Sequence, residues 1–244
     1  MPNQLLPAVQ APATGFFPES YRFKDLSHEK LFGAAPVEDI KPLNRDTSGI
    51  PVIFQGTQNT CVSCTLTWIR QWMEKDAGRT APRLSWPFLA QISNTGFAGA
   101  APSQVLEPAR KQGIAPWEDF PGDMNKAMAD AANFCFSGYS LITNYSRYGL
   151  YAALKRGPLA IGVLNFKNIG DHFMAAYDVT EDGTALKCKN WWNEDEQTEE
   201  IVPFADVEVA YSFASSDLMV SRETYQIHFL EVLVDMVKSY FKYV

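Results

Sequence analysis

Apolar residues return at helical spacing through the first half of the chain and at alternating spacing through the second. Over residues 64–75, Leu66, Ile69 and the pair Trp72 and Met73 recur three or four apart, which predicts a helix with one buried face. Ser85 is placed to cap a second helix carrying Phe88, Leu89 and Ile92, with Pro87 tolerated in its first turn. Residues 104–111 read as a third helix, strained by Pro108, and residues 123–134 as a short fourth. The texture then changes. Residues 136–143 read as a strand, and Ser146 caps a helix that Gly157 stops. Residues 158–164, 172–179, 185–190 and 199–202 read as strands, with a hairpin turn at Asp182 and Gly183. Helices followed by strands predict an α+β chain whose helical lobe and antiparallel β-rich lobe meet at a cleft.

Both ends depart from this pattern. Residues 1–35 are rich in Pro and Ala with little periodicity, and read as a surface arm or a short pro-segment ahead of one domain over 36–221. Residues 222–244 read as an extra C-terminal helix. Leu230, Leu233, Val237, Tyr240 and Val244 give it an apolar seam, widened by Ile227, Phe229 and Phe241. Such a face suits packing on the chain's own domain, self-association or docking on another protein.

Composition narrows the function classes. With 244 residues, 46% of them hydrophobic and 20% charged, the chain has material for a sizeable core. A net charge of −7 argues against generic nucleic-acid binding. No run of about 18 apolar residues is present, so no membrane span is expected. Residues 1–21 lack the basic and apolar regions of a secretory signal, which makes a cytoplasmic setting the expectation. There is no P-loop, no dinucleotide fingerprint and no second pair of cysteines to complete a zinc site, so neither cofactor nor metal is expected.

The chemistry concentrates in three segments. Gln58 stands six residues before Cys64, which is read as opening the first helix. A helix start favours thiolate over thiol, and the thiolate is the nucleophile. A base and an orienting amide lie downstream in Asp171-His172-Phe173 and Lys189-Asn190-Trp191-Trp192. Of the three histidines, His28 lies in the arm and His228 in the terminal helix; only His172 begins an apolar strand. Gln55 also precedes a cysteine, Cys61, by six. A redox role for Cys61 and Cys64 would leave Gln58, His172 and Asn190 without a part.

The order Gln, Cys, His, Asn, with Trp two residues after Asn, resembles the papain-like cysteine peptidases, in a divergent form of bacterial or phage type. The likeness runs through Leu84-Ser85, Gly99-Ala100-Ala101-Pro102 and Gly157-Pro158, over roughly residues 36–215. It implies a two-lobed fold and a thiol protease, a hydrolase acting on protein or peptide through a thioester. Cys64 would be the nucleophile, His172 the base, Asn190 the orienting amide and Gln58 the oxyanion donor. Trp192 would roof the His172–Asn190 bond. Gly99, Ala100, Ala101, Pro102, Gly162, Asp171, Phe173 and Trp192 would line the substrate side. The pairing of Gln55 with Cys61 is set aside, because it puts Cys64 one turn into the helix on no family pattern.

The sequence departs from the family in several places. Thr65 stands where the residue after the nucleophile is normally aromatic, and Val62 where a glycine separates the cysteines. His172 and Asn190 follow Cys64 by 108 and 126 residues, against a family range of about 130–150. The shortfall falls in the short stretch 165–170, which implies a more open cleft. In the resembled family the cysteine matching Cys61 pairs with one in the loop matching 96–99; Phe97 and Ala98 stand there, which favours a reduced setting, while a Cys135–Cys188 bridge stays open. Ala101 and Gly162 would enlarge the main specificity pocket and Phe173 refill it, so no side-chain preference emerges. An amidase, deconjugating enzyme or acyltransferase would use the same thiol. A noncatalytic binding module on the same scaffold would require the loss of a catalytic residue, and none of the four is lost.

Overall fold

The computed structural model describes residues 29, 33, 38–95, 99–192 and 198–214. The expected N-terminal arm, apart from Glu29 and Gly33, and the expected C-terminal helix lie outside these residues, as do His28, Phe97, Ala98 and His228. From Cys61 onward the described residues form first the helices α1 (Cys61–Asp76), α2 (Trp86–Ile92), α3 (Pro102–Lys111) and α4 (Met124–Ala131). Then follow β1 (Gly138–Leu141), α5 (Arg147–Leu154), β2 (Leu159–Phe166), β3 (Gly170–Val179), β4 (Ala185–Asn190), β5 (Thr198–Pro203) and β6 (Val209–Ala214). The strands form one antiparallel sheet in the order β1-β6-β2-β3-β4-β5. The α+β expectation therefore holds.

Local chemistry explains most boundaries. The Ser85 hydroxyl accepts the Phe88 N–H and so caps α2, and Ser146 does the same for α5 through Gly149. Pro108 sits inside α3 without ending it. The turn before β4 closes on Gly183, at φ 65°, a conformation that glycine adopts without strain. The first helix differs from expectation. It begins at Cys61, one turn before Cys64, with Thr60 as its N-cap and no side chain capping it.

The two faces of the sheet carry separate cores. Ala160, Phe173, Ala175, Tyr177, Trp191 and Tyr211 face α1 and pack with Cys61, Leu66, Trp68, Ile69 and Trp72. Ile161, Met174, Ala176, Leu186, Cys188 and Ala210 make the opposite face, covered by Leu150, Tyr151 and Leu154 of α5. This split is the period-2 alternation of strands acting on both faces at once. The chain ahead of α1 is fastened by Asp178, whose carboxylate accepts the N–H groups of Leu43 and Arg45, and by Arg45, whose guanidinium donates to the Tyr177 carbonyl at 3.0 Å. Glu29 is held to the end of β1 by the N–H groups of Thr143 and Asn144.

Candidate active site

The site forms where the start of α1 meets the ends of β3 and β4. The N–H of Gln55 donates to the carbonyl of Trp191 at 3.0 Å, which joins the loop ahead of α1 to the residue after Asn190. Deeper in, the Thr65 hydroxyl donates to the Phe173 carbonyl at 3.0 Å, and the Trp191 indole N–H reaches that same carbonyl at 3.1 Å and the Thr65 oxygen at 3.2 Å. All three residues are buried. Helix and sheet are thus locked by polar bonds in a dry interface, where such bonds hold geometry firmly. Thr65 is one of these ties rather than a group on a cleft wall.

Cys61 is the first residue of α1. A helix leaves the N–H groups of its first turn unpaired, so this N–H points out of the helix end. Its sulfur accepts the backbone N–H of Phe173, the residue that follows His172. Cys64 lies one turn further in. Its N–H is consumed by the Thr60 carbonyl at 3.0 Å, and its sulfur lies 3.8 Å from the Thr60 hydroxyl. The two glutamines differ in the same way. Gln55 is buried, and its side-chain N–H donates to the Gln58 carbonyl at 3.0 Å. Gln58 is half-buried and supplies that carbonyl; among the described residues neither glutamine's side-chain oxygen has a hydrogen-bond partner.

On the sheet side, His172 Nε2 lies 2.7 Å from Asn190 Oδ1, and the same oxygen accepts the Trp191 N–H at 2.7 Å. An N–H can only donate, so the atom it meets is the amide oxygen, and Nε2 must carry the imidazole proton. Nδ1 is then the basic nitrogen. It is buried and, among the described residues, has no hydrogen-bond partner. Two aromatic rings flank the imidazole: Trp192 at 4.6 Å between centroids and Phe166, nearly parallel, at 5.7 Å.

Comparison with solved structures decides the architecture. The chain superposes on xylellain, a cysteine protease from Xylella fastidiosa, with a TM-score of 0.68 over 87% of this chain and 99% of that one, at 15% identity. Procathepsin L2 of the Tenebrio molitor larval midgut gives 0.64 over 84% and 78%, at 17% identity. The ragweed pollen allergen Amb a 11, a cysteine protease in its proform, gives 0.59 over 78% and 74%, at 16% identity. The chain has a papain-like fold. No protein-family model and no curated sequence matches it.

Within the papain-like fold, burial sets the charge state of the site. It pushes the Cys61 thiol up to about 12, against the lowering effect of the N–H groups around the sulfur. It pushes His172 down to about 4; the bond to Asn190 works the other way, and the nearby Lys167 ammonium adds to the depression. Cys64 is also raised, by burial. A dehydrated thiol and a dehydrated imidazole each rest uncharged at neutral pH. All four cysteines are free thiols, so the Cys135–Cys188 bridge is absent.

The remaining expected substrate-side residues are spread over the fold. Phe173 is fully buried in the core facing α1. Gly162 is its register partner on β2, also beside Val209 of β6. Trp192 covers the His172 ring. The Asp171 carboxylate is engaged in the β2–β3 turn, where it accepts the Asn165 N–H at 3.0 Å. Gly99, at φ 99°, and buried Ala100 lead into α3, which Ala101 caps and Pro102 begins. Among the described residues no group of three or more His, Cys, Asp or Glu is arranged to hold a metal, and no helix is long and apolar enough to cross a membrane.

Proposed function

We propose that the chain is a cysteine peptidase acting through Cys61, His172 and Asn190, with Gln55 and the Cys61 N–H as oxyanion donors. In this reading Cys61, not Cys64, is the nucleophile, and Gln55, not Gln58, the side-chain donor. The observation that carries it is the position of Cys61: first in α1, with its sulfur on the N–H of the residue after His172. Cys64 has spent its N–H inside the helix and offers nothing to an oxyanion.

The reaction follows from the tautomer. Nδ1 of His172 takes the Cys61 proton as the sulfur attacks the substrate carbonyl, so that the two charges form side by side. The tetrahedral oxyanion is met by the Cys61 N–H and the second side-chain N–H of Gln55, donors already fixed in place. The imidazolium then protonates the leaving amine, leaving a thioester on Cys61. A water, deprotonated by Nδ1, attacks the thioester, releases the new carboxyl end and restores the thiol. Asn190 holds the ring through Nε2–H without drawing the proton away.

Hydrolysis of a fluorogenic peptide library tests the reading. Hydrolysis is expected in the wild type and in Cys64→Ala, and is lost in Cys61→Ala. Full activity in Cys61→Ala, or a loss confined to Cys64→Ala, would overturn the assignment.

A further inference from the structure

The polar chain that starts at His172 continues past Asn190. The Asn190 side-chain N–H donates to Glu200 Oε1 at 3.2 Å, and the other carboxylate oxygen of Glu200 meets Lys167 Nζ at 2.6 Å. Glu200 stands on β5 opposite Cys188 of β4 and is 9% exposed. Lys167 stands in the β2–β3 turn at φ 51°, a backbone region that L-residues seldom adopt. Its ammonium also lies 5.3 Å from the centre of the Phe166 ring that stacks on His172. The turn, β3, β4 and β5 thus converge on one amide.

That amide has two orientations of nearly equal shape. In the observed one its oxygen faces the imidazole. In the reversed one its NH2 would face Nε2, which would then have to be unprotonated, and the ring proton would sit on Nδ1. Nδ1 is the nitrogen needed to receive the thiol proton, so the reversed amide leaves the ring unable to act as base. The Trp191 N–H opposes reversal, since it would meet an N–H. Glu200 opposes it from the other end, because a carboxylate only accepts and would meet the amide oxygen. A bond to a carboxylate is also roughly twice as strong as a neutral one.

We propose that Glu200 is a positioning residue that locks the Asn190 amide, and through it the Nε2–H tautomer of His172, with Lys167 holding Glu200 in place. The proposal rests on His172 being the base of the peptidase proposed above. The charged and titratable groups around the ring are Lys167 in the turn, Glu200 on β5, Cys61 on α1 and Asp171 beside it. Of these, Lys167 is the charge that acts on the ring, lowering its proton affinity, while Glu200 meets Asn190 and Lys167 rather than the imidazole. The carboxylate therefore acts by fixing an orientation more than by its field.

The test reads the ring directly, by 15N NMR of histidine-labelled protein, with the His172 signals assigned from His172→Gln. Wild type should show the Nε2–H form of His172. Glu200→Ala should bring the Nδ1–H form to about a tenth or more of the molecules and lower kcat about tenfold with KM unchanged, since a wrong tautomer harms the chemical step. Glu200→Met keeps the side-chain volume and should do the same, which guards against an alanine variant that fails to fold. Glu200→Gln still accepts from Asn190 and should restore the Nε2–H form and most of kcat. In an Asn190→Ala background, Glu200→Ala should change kcat less than about twofold, because the group it acts through is gone. A wild-type tautomer ratio in Glu200→Met, or no recovery in Glu200→Gln, would overturn the proposal. The NMR reading needs no substrate, so a protein that hydrolyses no peptide would refute the peptidase while still deciding the role of Glu200.

Discussion

Cys61 and Cys64 sit one helical turn apart in α1 and are equally hidden from solvent, yet they stand in different chemistry. The first lies at the helix end, where backbone N–H groups surround its sulfur, that of Phe173 on the strand that carries His172 among them. The second lies where the helix has begun to satisfy its own bonds, and its sulfur lies 3.8 Å from the Thr60 hydroxyl. Burial raises both thiols, so burial does not tell them apart. What distinguishes them is which backbone donors surround the place where charge would develop. The same contrast separates Gln55, whose amide is aimed by a carbonyl, from Gln58, which provides that carbonyl.

The contrast can be broken most severely at the nucleophile and base. Cys61→Ala and His172→Ala should each lower kcat by at least about 10²–10⁴-fold, while Cys64→Ala should stay within about threefold of wild type; steady-state rates on one peptide substrate give all three. At the oxyanion donors, Gln55→Ala should cost about 10²–10³-fold in kcat. Gln58→Ala keeps the carbonyl that Gln55 uses and should cost far less, so equal losses in the two variants would contradict the assignment.

A third prediction concerns pH and stability. His172 is held at about 4 in the fold against 6.5 when unfolded, because burial disfavours its charged form. Between those values the unfolded chain binds more protons. The stability tied to the neutral ring is therefore complete above pH 6.5 and is lost as pH falls towards 4, by on the order of 3 kcal/mol. Urea unfolding at a series of pH values should show this slope in the wild type. It should be shallower in His172→Gln, and parallel curves for the two proteins would count against a neutral buried ring. The smallest effect expected is on stability at Cys64. Cys64→Ala removes one buried sulfur from the α1 core and should lower the unfolding free energy by about 1–2 kcal/mol, readable as a shift in urea midpoint.

Legibility in the sequence followed the range of the interactions. Strands buried on alternating faces announced themselves, and β4 (Ala185–Asn190) lies where alternation places it. The caps at Ser85 and Ser146 are local signals and were readable. The start of α1 was not. Thr60 makes no side-chain cap bond, no acidic residue marks the first turn, and the apolar period begins only at Leu66, so the sequence pattern places the helix start one turn late. A nearer signal was present in Gly56 after Gln55, whose φ of 62° turns the chain back towards the helix end. The β6 strand (Val209–Ala214) went unread because its identity comes from lying between β1 and β2, a pairing across more than forty residues of sequence. Glu200 and Lys167 were invisible for the same reason, being joined only once β2, β3, β4 and β5 are side by side.

If the helix-opening cysteine does the chemistry, covalent trapping will find its sulfur modified. A peptide-directed epoxide should be added in stoichiometric amount and the modified atom located by fragmentation of the peptide spanning residues 46–70, which holds both thiols. Modification on Cys61, dependent on His172, is the result predicted. Modification on Cys64 with Cys61 left unreacted would contradict the account.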